Sequence, residues 1–170
     1  MSTEEAAGSA EPGRSAARLD ATDRAIIAEL VRDARVSIRA LAEEVHVSRA
    51  NAYARINRLV ADEVISGFTA KVNPVRAGLG TSAYVTVTIE QNAWRTVSQE
   101  LRDIPCIEHF SLVGGDFDIL ALVRTPDNAA LRHVVLERIQ EITGVRSTRT
   151  WLVFDEAEGR GTRPTPTRSR

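Results

Sequence analysis

The amino-acid sequence predicts an α+β chain of two domains: a helical one closed by a short β-wing, then a sheet-forming one in the order βαββαβ. Three observations lead there. Between Leu19 and Leu59 apolar residues recur three and four apart, the spacing of helix faces. From Thr81 they alternate with polar residues, the spacing of a half-buried strand. Asn73-Pro74, Gly78 and Gly80 punctuate the chain between the two patterns. The 170 residues, 43% of them hydrophobic, have room for two small cores. The expected divisions are a disordered tail over 1–17, a winged helical domain over 18–73, a linker over 74–80, the βαββαβ domain over 81–155 and a second disordered tail over 156–170.

The first tail carries no large apolar residue after Met1 and cannot bury enough surface to order itself. Asp20 opens the first helix, and Asp23 adds a second carboxylate in its first turn, where the backbone amides favour negative charge. Ile26, Ile27 and Leu30 form its buried stripe. Ser37 caps the next helix, whose core residues are Leu41, Ala42 and Val45. A tight turn at His46-Val47 leads to a third helix capped by Ser48, with Ala52, Ile56 and Leu59 as its narrow buried stripe. The other positions, Arg49, Ala50, Asn51, Tyr53, Arg55, Asn57 and Arg58, face away from the core and include no acid. Such a face suits a groove lined with phosphates and base edges. A plain solvated helix face is also polar, and Arg55 and Arg58 have the option of pairing with acids of the first helix, Arg55 above all. The short helix, tight turn and capped following helix favour a helix-turn-helix. Val64 to Val72 then switches to β-forming residues around Gly67, the pattern of a wing.

In the second domain, Ala83, Val85, Val87 and Ile89 alternate with Tyr84, Thr86 and Thr88 as a first strand. Asn92 is placed to cap a helix carrying Trp94, Val97, Leu101 and Ile104, stopped by Pro105. Ile107 to Val113 and Phe117 to Val123 read as a hairpin about Gly114-Gly115-Asp116. Thr125-Pro126-Asp127 starts a helix with Leu131, Val135, Ile139 and Ile142 at helical spacing. Gly144 ends it, and Val145 to Phe154 forms the last strand.

The net charge of −1 gives no global attraction to nucleic acid, so DNA contact must come from a local basic surface. Cys106 is the only cysteine, which excludes a disulfide framework and a thiolate metal cluster. His46, His109 and His133 are scattered, and no metal or cofactor is expected. No nucleophile has a base partner nearby and no phosphate loop occurs, so no catalytic residue is assigned. No apolar run approaches a membrane span and the N-terminus lacks a leader pattern, so a cytoplasmic protein is expected.

Particular residues sharpen the reading. Leu19-Asp20-Ala21-Thr22-Asp23, Leu41-Ala42, Val47-Ser48, Arg55-Ile56-Asn57-Arg58-Leu59, Val64-Ile65-Ser66-Gly67-Phe68, Gly115-Asp116-Phe117-Asp118, Gly144-Val145 and Thr148-Arg149-Thr150 occur in that order. With the element order, they make the chain from Leu19 to Glu156 resemble the Lrp/AsnC (feast/famine) family of bacterial and archaeal transcription regulators. One departure is that Glu63 stands where family members often have Gly before the wing. The resemblance implies a ferredoxin-like, RAM-type second domain and a one-component regulator. Its first domain would bind double-stranded operator DNA. Its second would form dimers, assemble further to octamers, and bind a small effector, typically an amino acid.

The expected DNA-binding set is Ser48, Arg49, Ala50, Asn51, Tyr53, Arg55 and Arg58. The expected effector set is Val113, Gly114, Gly115, Asp116, Phe117 and Asp118 with Thr148 and Thr150, at an interface between subunits. Two glycines and an Asp are also what a tight hairpin needs for positive φ and side-chain capping. The functional reading adds close backbone approach to a ligand, turn amides for a carboxylate, and Asp116 or Asp118 for an ammonium. Two rival functions stand beside this one: an amino-acid-binding regulatory subunit of a metabolic enzyme, and an architectural DNA-binding protein of the nucleoid type, which would bind with little sequence discrimination.

Overall fold

A computed structural model describes residues 19–157. The expected tail over 1–17, and all but the first two residues of the tail over 156–170, lie outside them. The described residues form two compact units, 19–70 and 71–157. No described helix is long and apolar enough to cross a membrane.

The first unit holds helices α1 (Ala21–Arg32), α2 (Ile38–Glu44) and α3 (Arg49–Ala61). Local chemistry sets each start. The Asp23 amide donates to the Asp20 carboxylate at 2.8 Å and the Asp20 amide to the Asp23 carboxylate at 3.1 Å, a reciprocal capping box. The Ser37 and Ser48 hydroxyls accept from the Ala40 and Asn51 amides. Ile26, Leu41, Ile56 and Leu59 form the core.

The turn between α2 and α3 is a Schellman motif: the Val47 amide bonds the Ala42 carbonyl at 3.0 Å and the His46 amide the Glu43 carbonyl at 3.3 Å. It places His46 at φ 56, where Gly is the usual occupant. Glu63, after α3, adopts φ 57. The turn therefore keeps the left-handed geometry although Glu stands there in place of Gly.

The expected wing is corrected. Residues 64–72 form no strand, and the one sheet lies wholly in the second unit. A strand is stable only where a neighbour takes its amides and carbonyls. No strand pairs with this segment among the described residues, and the Ile65 amide turns back to the Leu59 carbonyl at 3.0 Å. Val64 and Ile65 pack against the helical core, while Phe68 and Val72 are exposed.

The second unit carries β1 (Thr81–Ile89), α4 (Trp94–Arg102), β2 (Ile107–Leu112), β3 (Ile119–Thr125), α5 (Asn128–His133) and β4 (Val145–Leu152). Residues 74–78 of the expected linker form a turn, with the Leu79 amide on the Pro74 carbonyl at 2.8 Å. The sheet order is β2-β3-β1-β4, all neighbours antiparallel, which is the split βαββαβ arrangement. Ala83, Val85 and Val87 turn inward with Ile119 and Val123 against Val97, Leu101, Leu131, Val135 and Ile139. Alternation sends Tyr84, Thr86, Leu122 and Trp151 to the opposite face, where Thr86 and Leu122 are buried and Trp151 is exposed. Tyr84 lies in register with both Leu122 and Trp151.

Three local expectations change. Asn92 does not cap α4: it sits at φ 76, and the cap residue is Ala93 with no side-chain bond. Asn tolerates left-handed backbone as readily as it caps, and the turn from β1 needed the former. The helix after Asp127 is α5 for six residues and then a π-helix, Val134–Ile139, with the Gln140 amide reaching back to Val135 at 3.0 Å. Of the strands flanking the hairpin, the first ends one residue early at Leu112 and the second is shifted by two, to Ile119–Thr125.

Candidate nucleic-acid interface and effector cleft

Helix α3 buries Ala52, Ile56 and Leu59 and exposes Arg49, Ala50, Asn51, Tyr53, Asn57 and Arg58. Its arginines are not equivalent. Arg55, a quarter exposed, donates through Nη1 to Asp20 at 2.6 Å and Asp23 at 2.8 Å, and through Nε to the Asn51 side-chain oxygen at 2.7 Å. Arg58 Nη2 lies 2.6 Å from the other Asp23 oxygen. Asp23 is 1% exposed, so its carboxylate is a buried anion held by two guanidinium groups and the Asp20 amide.

Burial alone would push the Asp23 carboxyl up. The Arg55 hydrogen bond, the Asp20 amide and Arg58 together outweigh it and hold the group below the usual carboxylate range. Asp20 is lowered too, first by the Asp23 amide and then by Arg55. Arg55 and Arg58 thus clamp α3 to α1. Arg49, by contrast, has no acid partner among the described residues.

At the other site the hairpin 113–118 is tied down at its ends. The Val113 amide bonds the Asp118 carbonyl at 2.8 Å, the Asp118 amide the Val87 carbonyl at 3.0 Å, and the Asp118 carboxylate accepts from the Ile89 amide at 2.8 Å. Asp118 is therefore committed to the end of β1, whereas Asp116 is exposed. Gly115 has φ 143, but Gly114 has no positive φ, and a Cβ at either would meet nothing within 4 Å.

A cleft of about 530 Å³ opens beside the hairpin, lined by Val113 and Asp118 together with Ile89, Asn92, Trp94 and Arg146. Thr148 and Thr150 are not brought to the hairpin within one chain. They pair with Val87 and Val85 on the far side of β1 from β3, and the Thr148 hydroxyl accepts from Gln140 at 2.7 Å. Sequence reasoning missed Asn92 and Arg146 as cleft residues. A cap assignment hid the first, and the second lies in a strand whose alternation says nothing about what its end faces.

Residues 19–60 match the model of the AsnC-type helix-turn-helix domain, and residues 82–161 that of the Lrp/AsnC ligand binding domain. The chain is 33% identical over 157 residues to the leucine-responsive regulatory protein of Serratia marcescens, covering 89% of this chain and 92% of that one. It superposes on the leucine response regulatory protein of Mycobacterium tuberculosis with a TM-score of 0.76 at 30% identity, over 86% of this chain and 100% of the other. A transcriptional regulator of Neisseria meningitidis, solved in complex with L-methionine, has the same fold, with a TM-score of 0.78 at 24% identity over 83% and 93% of the two chains. The chain belongs to the Lrp/AsnC family, transcriptional regulators that join a DNA-binding helix-turn-helix to a ligand-binding domain.

Proposed function

We propose that this regulator reads double-stranded operator DNA in the cytoplasm through the N-terminal half of α3, with Ser48, Arg49, Ala50, Asn51 and Tyr53 at the major groove. The observation that carries the reading is the division of the arginines: Arg55 and Arg58 are held by Asp23, and Arg49 is not. Residues near the start of a recognition helix reach base edges, and the amide nitrogen of Asn51 can donate there while its oxygen serves Arg55. In fluorescence-anisotropy titrations on operator DNA, Arg49→Ala and Asn51→Ala should each weaken binding about 10- to 100-fold, for roughly 1–3 kcal/mol per base contact. Equal affinity and selectivity in variants that fold like the parent would refute the assignment. Equal affinity of the parent for operator and unrelated DNA would favour an architectural role.

In this reading residues 18–73 are the DNA-binding domain and 81–155 the effector and oligomerisation domain. The sheet face bearing Tyr84, Leu122 and Trp151 packs on that of a second copy; Trp151 is 59% exposed in the single chain. A closed two-fold pair presents α3 twice, to half-sites about 10 bp apart or a multiple of that. Sedimentation at micromolar concentration should give a dimer or a multiple of it. A monomeric mass would remove the proposed pairing.

The effector is an amino acid, seated at the hairpin and its cleft, with Arg146 and the turn amides facing the carboxylate and Asp116 the ammonium. Gly114 supports this: neither φ nor crowding requires glycine there, so the fold does not explain it. Close approach of a ligand would. Gly114→Ala should leave the unfolding midpoint within about 0.5 kcal/mol of the parent and diminish the change in operator affinity that L-methionine or L-leucine produces. A variant that responds like the parent would place the effector elsewhere. The chain is given no catalytic step.

A further inference from the structure

A second cleft, of about 540 Å³, lies between α4 and the edge strand β2 and includes Trp94, Ser98, Leu101, Arg102, Phe110 and Leu112 among its lining residues. Ser98 is 3% exposed, and its hydroxyl is the one buried side-chain polar atom among the described residues that has no hydrogen-bond partner. Most buried hydroxyls are satisfied, so an orphan on a residue that lines an open cleft is a group that a bound molecule would complete once the side chain turns toward it.

The remaining chemistry is apolar and cationic. Leu101 is fully buried, while Trp94 and Leu112 are exposed. The Arg102 guanidinium lies 5.8 Å from the centre of the Phe110 ring and makes a long 3.5 Å contact to Gln99. Arg95 stacks 4.6 Å over Trp94. One acid lines the cleft, Glu108, and it is paired with Arg124; His109 stands beside it.

We propose that this cleft is a binding site for a small apolar monocarboxylate, aromatic or branched. The Arg102 guanidinium supplies the charge for its carboxylate, the Ser98 hydroxyl donates a hydrogen bond to it, and Trp94, Phe110 and Leu112 contact its apolar body. An amino acid is disfavoured, because Arg102 has no acid partner among the described residues and offers its charge to a carboxylate, whereas an ammonium would meet only Glu108, already hydrogen-bonded to an Arg124 that it shares with Glu156. The site is independent of the hairpin cleft as a ligand position, although Trp94 and Leu112 stand in the walls of both.

The test is calorimetric titration of the full chain with phenylacetate and with 3-methylbutanoate. The parent should bind at least one of them at submillimolar to millimolar concentration. Ser98→Ala and Arg102→Gln should each weaken binding about tenfold or more, and Arg146→Gln, which would remove the carboxylate partner in the hairpin cleft, should not. Because Ser98→Ala also removes an unsatisfied buried group from a helix, its thermal midpoint without ligand should equal or exceed the parent's. That keeps loss of binding distinct from loss of fold, and Arg102→Gln, at an exposed position, gives a second check. No heat from either probe up to roughly 10 mM would overturn the proposal. So would unchanged binding in Ser98→Ala and Arg102→Gln, or binding abolished by Arg146→Gln instead.

Discussion

Replacing Asp23 with Ala should lower the thermal midpoint of the first unit by roughly 10–20 °C, for a loss of about 2–3 kcal/mol. The change leaves the Arg55 and Arg58 guanidinium groups without their shared anion and takes away half of the capping box. Removing one partner of a buried pair costs about 3–5 kcal/mol when both are dry. Here Arg58 is half exposed and Arg55 a quarter, so water recovers part of that. Asp23→Asn, which keeps one acceptor oxygen, should fall between. The same cluster gives a pH signature. Both carboxyls are lowered in the folded chain: Asp23 by Arg55, the Asp20 amide and Arg58 against its burial, and Asp20 by the Asp23 amide and then Arg55. Their contribution is therefore complete above the ordinary carboxylate range and is lost as pH falls through the lowered values. Stability of the first unit should be flat near neutrality and drop below about pH 4. The gap between parent and Asp23→Ala should close over that range. Equal melting of the two at pH 7 would show that the clamp contributes nothing.

Gly144→Ala should destabilise the second unit by about 3–5 kcal/mol. Gly144 has φ 96, which an L side chain resists. A Cβ there would stand 2.5 Å from the Ala93 Cβ, at a position fixed by the start of α4. Its carbonyl also accepts from the Glu90 amide at 2.8 Å, so a shift to relieve the clash would strain the end of β1. The two causes separate in a double-mutant cycle. Ala93→Gly should restore the steric part in the Gly144→Ala background and leave the dihedral part, read from urea midpoints. Full rescue by Ala93→Gly would mean that the backbone conformation costs nothing. No loss in the single variant would mean that the turn rearranges freely.

What could be read from the sequence was local. The caps at Asp20, Ser37 and Ser48 and the stripe Ala52, Ile56 and Leu59 depend on neighbours within one or two turns, and they appear where expected. The Arg55 clamp spans 32 and 35 residues of chain, so sequence could offer it only as an option beside DNA contact. The wing failed because β-forming residues do not make a strand without a partner for their amides. The π-helix was invisible because Leu131, Val135, Ile139 and Ile142 fit an ordinary helix face equally well. Hairpin and cleft divided in the same way. The glycine-rich turn is legible in its own letters, whereas Arg146 joins it through sheet order, and the pairing of Thr148 with Val87 carries the two threonines away from it.

Commitment of Arg55 and Arg58 to Asp23 also fixes something about the ions around operator DNA. Each phosphate neutralised by a cationic side chain frees condensed counterions, and the logarithm of affinity falls with the logarithm of salt by about 0.9 per phosphate. An arginine already matched to a carboxylate brings little net charge to that exchange. Helix α3, with Arg49 as its cation outside the acid clamp, accounts for a slope of about −0.9 per half-site at most. On the proposed reading the helix would discriminate sequences with only a shallow dependence on ionic strength, and any steeper salt dependence would measure cations elsewhere along the chain.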